Sequence, residues 1–300
     1  MKILILGAGG MLGHKLCQVL GREFGQVYGT VRKPRGSYEP RKDIFGQTEL
    51  IENVDVANES ELIAALDKVR PNVVCNAIGL TLRKQNSSSA VDLIRLNSLL
   101  PHLVARWCAE NKSKVIHFST DCVFAGHTGG YTEESVPDAE DLYGRSKLLG
   151  EVAGPEALTL RASIIGRELE GGTELLEWFL SQNGQKTKGY SRAIYTGVTT
   201  LEMAKIVGRL IREHGKLNGL YQIASEPISK LDLLRLVAQK MGLSIEIEPD
   251  SSVVVKKDLV GSRFEAESGI RVSSWNEMVA NVAADPTDYP SNRFLKGNRT

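Results

Sequence analysis

Residues 2–16, KILILGAGGMLGHKL, run from a short apolar segment through a cluster of glycines into an amphipathic pattern. The order reads strand, tight turn, helix. Glycines at 7, 10 and 13 make a GxxGxxG string, and Gly9 adds an overlapping GxG. Glycine permits the sharp turn and lets backbone come close to a ligand. The helix that follows starts with free N–H groups, which suit a pyrophosphate. Such a string is informative here because it follows the first strand and opens a helix.

Outward from that stretch the chain keeps alternating. Strands are expected at 2–7, 26–31, 49–56, 72–79, 114–120 and 157–163, several of them near-continuous in Val and Ile. Such runs fit strands buried on both faces. Helical patterns lie between them near 11–22, 59–70, 91–111 and 143–153, with Asn58 or Ser60 placed to cap the second. Alternation of this kind predicts a parallel sheet with right-handed crossovers. Past about residue 165 the rhythm loosens. Helices are expected from 173, 199 and 229, with one more strand at GLYQIA, and the tail from Asp285 reads as irregular. The expected fold is α/β: a Rossmann-type doubly wound parallel sheet over 1–165. A smaller substrate lobe over 166–300 is partly interleaved with it.

Composition excludes several classes. The 300 residues carry a net charge of +1, with 42% hydrophobic and 24% charged residues. There is no basic field for nucleic acid and no apolar run long enough to span a bilayer. Four cysteines without CxxC spacing and five histidines without ligand spacing predict buried free thiols and no bound metal. A cytoplasmic protein is expected.

The second strand normally ends on an acidic residue that binds the adenine ribose. Here VYGTVRKPR offers Thr30, Arg32, Lys33 and Arg35 instead. Cations suit a 2′-phosphate, so NADPH is the expected cofactor and NADH the alternative. Asp55 and Val56 follow the third strand and can border the adenine. NAIG at 76–79 ends the fourth strand at the crevice.

The fifth strand ends in HFSTDCVFAG, which places the Thr120 hydroxyl at the same crevice. Tyr143 follows in DLYGRSKLLGE, with Lys147 four residues on and therefore on the same helix face. Reduction of a ketone needs hydride on carbon and a proton on oxygen. Tyrosine, with a pKa of about 10, is a usable acid but slow to give its proton up. A nearby ammonium favours the phenolate and lowers that value, and the threonine can orient the carbonyl.

The glycine string, NAIG, Thr120 and the Tyr143-x-x-x-Lys147 pair, in this order, resemble the extended short-chain dehydrogenase/reductase superfamily. FSTDCVFAG followed by GGYTEESVPDAEDLYGRSKLLGE is similar to the branch of dTDP-4-dehydrorhamnose reductase and its relatives, which act on nucleotide-linked 4-keto-6-deoxy sugars. The resemblance is closest to about residue 165 and keeps its order to about 280. It implies Thr120, Tyr143 and Lys147 as the catalytic set, with Tyr143 the general acid. Gly7, Gly10, Met11, Leu12 and Gly13 would form the pyrophosphate loop. Ala77, Ile78 and Gly79 would lie along the cofactor, Asn97 would hold the active-site strands together, and Ser163 would sit near the carboxamide. Asp121 and Cys122 fall beside the sugar. Lys188, Tyr190 and Arg192 fall where relatives bind the nucleotide, and Arg83 and Lys84 in the loop 79–89 can meet a diphosphate. Relatives are often homodimers that pair helices corresponding to 91–111 and 143–153.

The chain departs from the branch after its sixth strand. Relatives tend to carry a tryptophan there, where this chain has Ile164 and Ile165. The substrate therefore stays open between dTDP-4-dehydrorhamnose and a UDP-linked 2-acetamido-2,6-dideoxy-4-hexulose. A 4-epimerase with tightly held NAD and a non-catalytic regulatory subunit are the alternatives. A dehydratase is disfavoured, because Cys122 stands where its second carboxylate belongs.

Overall fold

The structure is a computed structural model, which describes residues 1–38, 44–81 and 89–295. Seven parallel strands form the main sheet in the order β10-β6-β5-β4-β1-β2-β3. They are β1 (Lys2–Leu6), β2 (Gln26–Thr30), β3 (Glu49–Ile51), β4 (Val73–Asn76), β5 (Lys114–Ser119), β6 (Ala157–Arg161) and β10 (Gly219–Gln222). Strand order reverses between β1 and β4, so a crevice opens at their carboxyl ends. Side chains of β1 alternate between two cores. Ile3 and Ile5 join the cluster under α1 (Gly13–Glu23) and α7 (Thr200–Glu213), whereas Leu4 and Leu6 join the one under α2 (Glu59–Val69) and α4 (Leu100–Glu110). Burial on both faces explains the unbroken apolar runs.

Several element ends differ from the sequence expectation. The third strand stops at Ile51, which leaves Asp55 and Val56 in a loop. The helix expected over 91–111 comprises α3 (Ala90–Leu93), a π-helical stretch (Ile94–Leu99) and α4. Hydrophobic periodicity does not report such a local widening, which falls at Asn97. The helix expected over 143–153 is α5 (Leu142–Leu149), capped by the Asp141 side chain on Gly144 N–H and ended at Gly150.

Asn58 caps α2 by accepting from the N–H of Ser60, and Thr199 caps α7. Ser229 caps α8 (Lys230–Met241), which Gly242 closes in the left-handed conformation, φ +66°.

Residues past 165 build two further sheets. One orders β11 (Ile228–Ser229), β8 (Lys186–Tyr195) and β12 (Glu246–Lys256). The other pairs β7 (Ser163–Ile165) with β9 (Gly197–Thr199). The polar stretch from Lys188 is thus mostly the strand β8. Its pairing with β12 is long-range and leaves no local signal.

The tail from Asp285 is anchored. Asp285 ion-pairs with the buried Lys15, and Tyr289, 2% exposed, places its hydroxyl 2.9 Å from Nε2 of His14. Burial and the neighbouring Lys15 push the His14 pKa down to about 3, so the ring stays neutral.

Candidate active site

The glycine loop is shaped by close approach. Gly7 sits at φ +82°, and a Cβ on Gly13 would lie 2.0 Å from the Gly7 carbonyl oxygen. Any side chain at 13 would drive α1 off the loop. α1 has no side-chain cap and no acidic residue in its first turn. Its N–H groups and positive dipole end therefore face the crevice, and this donor set fits the diphosphate of a dinucleotide.

A cleft of about 670 Å³ runs from this loop to the C-terminal lobe. Gly7, Gly10, Met11, Leu12, Thr30, Arg32, Asp55 and Val56 line one end, and Ala77, Ile78 and Gly79 continue along it. Thr120, Asp121, Cys122, Tyr143, Lys147 and Ser163 line the middle. Gly13 supports the loop from behind. Thr30, expected at the ribose, is 2% exposed, and its hydroxyl accepts the Gly7 N–H at 3.1 Å. Its role is to brace the loop, because its side chain points into the packed turn. Arg32 is exposed at the cleft, and Lys33 reaches across to Glu170 at 2.7 Å. A second bridge runs from the Thr81 hydroxyl to Glu174 at 2.6 Å.

Thr120 directly follows β5, with its hydroxyl 3.0 Å from Asp121 Oδ1, and it accepts the Cys122 N–H. Tyr143 stands in the first turn of α5, half-buried. Burial and the adjacent Cys122 push its pKa up, and the Thr120 side chain works against them. Lys147 is buried and donates to the Phe118 carbonyl at 2.6 Å. Burial lowers its pKa to about 8, against the pull of Glu151. The expectation that the ammonium governs the phenol is corrected here: burial leads for both groups. In the empty cleft burial therefore holds the phenol protonated but makes it a weaker acid than a free tyrosine.

Two polar clusters set this geometry. Asn97 accepts the Leu80 N–H at 2.9 Å, and donates to Leu80 O and to Ser146 Oγ, each at 3.1 Å. It ties the segment after β4 to α5. Glu151 takes a bidentate pair from Arg161 at 2.7 Å and the Ser119 hydroxyl at 2.6 Å, which ties the ends of β5 and β6 to the segment that leaves α5.

Other expected residues fall elsewhere. Lys188, Tyr190 and Arg192 lie outside the cleft lining. Lys188 pairs with Asp250 at 3.4 Å, the Tyr190 ring carries Lys230 at 5.2 Å, and Arg192 is exposed. The cleft is met further along the same strand, by Ala193, Ile194 and Tyr195. Arg83, Lys84 and the side chain of Arg35 lie outside the described residues. Lys230, Lys257 and Glu174 line the cleft without having been singled out, since no local motif marks residues brought in by a distant lobe. Among the described residues, no group of three or more His, Cys, Asp or Glu side chains is placed to hold a metal ion. No described helix is long and apolar enough to cross a membrane.

A family model described as the RmlD substrate binding domain matches residues 1–286. The chain belongs to this family. As an RmlD-family member it is an NAD(P)-dependent oxidoreductase of short-chain dehydrogenase/reductase type. It is 26% identical to a probable low-salt glycan biosynthesis reductase of Haloferax volcanii, over 97% of this chain and 100% of the relative. It is 24% identical to a dTDP-4-dehydrorhamnose reductase of Aggregatibacter actinomycetemcomitans, over 94% and 98% of the two chains. Among solved structures it resembles a dTDP-4-dehydrorhamnose reductase from Bacillus anthracis in complex with NADP. That match has a TM-score of 0.75 and 17% identity, over 95% and 99% of the chains. A UDP-glucose 4-epimerase of Thermus thermophilus in complex with NAD matches at a TM-score of 0.76 and 16% identity, over the whole of both chains. These two structural likenesses establish the Rossmann-type fold.

Proposed function

We propose that this RmlD-family chain uses NADPH to reduce the C4 ketone of a nucleotide-linked 4-keto-6-deoxyhexose, a sugar precursor of surface polysaccharide. One observation carries the reading. Thr120, Tyr143 and Lys147 converge in a single cleft with the uncapped N-terminus of α1. The names of the relatives agree with it. Residues 1–165 act as the cofactor lobe and 166–300 as the substrate lobe.

NADPH, when bound, supplies the hydride. The chain's own residues handle the oxygen. The Thr120 hydroxyl orients the ketone, and Tyr143 gives its proton to that oxygen. Lys147 holds a positive charge on the cleft floor beside the phenolate that results. Arg32 and the α1 N-terminus bind the phosphates. Met11, Leu12, Asp55, Val56, Ala77, Ile78, Gly79 and Ser163 shape the cofactor bed, and Asp121 and Cys122 border the sugar. Exposed apolar side chains on α3–α4 and α5, among them Val91 at 59% and Leu149 at 65%, support a homodimer through this face.

The test is NADPH oxidation with dTDP- and UDP-linked 4-keto-6-deoxy sugars, with products identified by mass spectrometry. Turnover with one nucleotide class names the substrate. A protein that purifies with tightly held NAD and consumes no NADPH is an epimerase, and the proposal fails.

A further inference from the structure

Four buried polar side-chain atoms lack a hydrogen-bond partner among the described residues: His117 Nε2, Arg161 Nη1, Gln222 Nε2 and the Tyr195 hydroxyl. Orphaned buried polar groups are costly and call for an explanation. The first three belong to residues away from the cleft. Tyr195 lines it.

We infer that Tyr195 recognises the sugar, its hydroxyl forming a hydrogen bond with a hydroxyl or acylamino group of the hexose. The inference rests on the nucleotide-sugar reading above. Tyr195 ends β8, where it is paired with Ile228 of β11. Its ring meets Trp275 edge-on, centroids 6.2 Å apart at 85°. Trp275 is itself held by its indole N–H on the Glu226 carbonyl at 2.9 Å. The ring is therefore packed on one edge, and its hydroxyl is buried with no partner in the fold, so a ligand reaches it only as the side chains around it give way.

Its neighbourhood says which part of a ligand it meets. Asp121, next to Thr120, acts electrostatically on both Tyr143 and Tyr195. Tyr195 also shares the lining of this cleft with Thr120, Asp121 and Tyr143. Lys257 lines the same end and acts on both Asp121 and Cys122. The group that enters here meets a carboxylate that accepts and a phenol that can donate or accept. A sugar hydroxyl or acylamino group, each with a donor and an acceptor, satisfies both. A nucleobase or a diphosphate next to Thr120 would leave no room for the reacting carbon. Tyr195 thus supplies polar recognition near the site where relatives tend to place an aromatic platform and this chain has Ile164 and Ile165.

The test is Tyr195→Phe, which keeps the ring and its Trp275 contact. The expected result is a rise of about tenfold in KM for the keto sugar, the loss of one hydrogen bond to substrate. kcat and the NADPH Kd stay at their wild-type values, and the melting temperature does not fall, since the hydroxyl removed has no partner in the fold. An unchanged KM, or a parallel rise in NADPH Kd, overturns the assignment. If wild-type protein reduces no keto sugar, the parent reading fails. The inference is then read from titration of unreactive dTDP-glucose and UDP-glucose into NADPH-loaded protein. Weaker binding by Tyr195→Phe supports it, whereas equal binding, or none by wild type, overturns it.

Discussion

The Lys147 ammonium donates to the carbonyl oxygen of Phe118 at 2.6 Å, two residues before Thr120 on the same strand end. The bond holds a buried cation at the floor of the cleft, where burial has lowered its pKa to about 8. An unfolded lysine titrates near 10.4. Below about pH 8 the folded protein therefore carries a proton that it binds less tightly than the unfolded chain does.

That difference sets a pH-dependent stability. The unfolded state holds more protons between about pH 8 and 10.5, so the Lys147 contribution rises with pH through that window and is lost as pH falls. The shift corresponds to about 3 kcal/mol at pH 7, offset by about 1 kcal/mol for the bond to Phe118. Lys147→Met is expected to be more stable than wild type by about 2 kcal/mol at pH 7. The gap should close towards pH 10.5, and urea unfolding at both pH values reads it. A variant that is less stable at pH 7, with no change on raising pH, contradicts the assignment. Wild-type kcat/KM should also fall as pH rises past about 8 and the ammonium is lost.

Tyr143→Phe removes the proton donor and little packing. It is expected to lower kcat by at least about 100-fold, the low end for general acid catalysis. Fluorescence titration should show the NADPH Kd within about twofold of wild type, since the phosphates are held at the other end of the cleft. An unchanged kcat rejects Tyr143 as the acid.

Asn97 satisfies both backbone groups of Leu80 and binds Ser146 at the same time. Asn97→Ala leaves the part-buried N–H and C=O of Leu80 without this partner, while Ser146 keeps its bond to the Tyr143 carbonyl. A loss of about 1–3 kcal/mol is expected, with kcat falling because α5 is no longer tied to the segment after β4. Thermal unfolding together with steady-state kinetics measures both. Wild-type stability would show that the Leu80 groups find other partners.

Arg32 and Lys33 stand at the same end of the cleft but differ in engagement. Lys33 is paired with Glu170 at 2.7 Å across the cleft mouth. The pair is exposed and contributes under about 1 kcal/mol to stability. Arg32→Ala is expected to cut the NADPH-over-NADH preference by about tenfold, the worth of one charge-assisted contact to a phosphate. Lys33→Ala should have a smaller effect. Kd values for both cofactors decide this, and equal preference in wild type and Arg32→Ala refutes it.

How much was legible depends on the range of the interactions. The glycine loop, the strands buried on both faces and the Tyr143–Lys147 spacing follow from contacts within a few residues, so they leave local patterns. The caps at Asn58 and Thr199 do the same, because a cap is one side chain on a backbone group two or three positions ahead. The π-helical turn at Asn97 left no such mark. It answers to Leu80 and Ser146, 17 and 49 residues away.

Read alone, the order of residues established the doubly wound sheet, the glycine turn after its first strand and the helix that carries Tyr143 and Lys147. Tertiary structure decided the rest. It turned Lys188–Tyr195 into a strand, moved the cleft contact to Tyr195, and made Thr30 a brace for Gly7. Burial, more than their spacing, also shifts the pKa values of Tyr143 and Lys147. The reason is physical: periodicity and capping record local geometry, whereas burial and the partners of a polar group depend on which distant segments close over it.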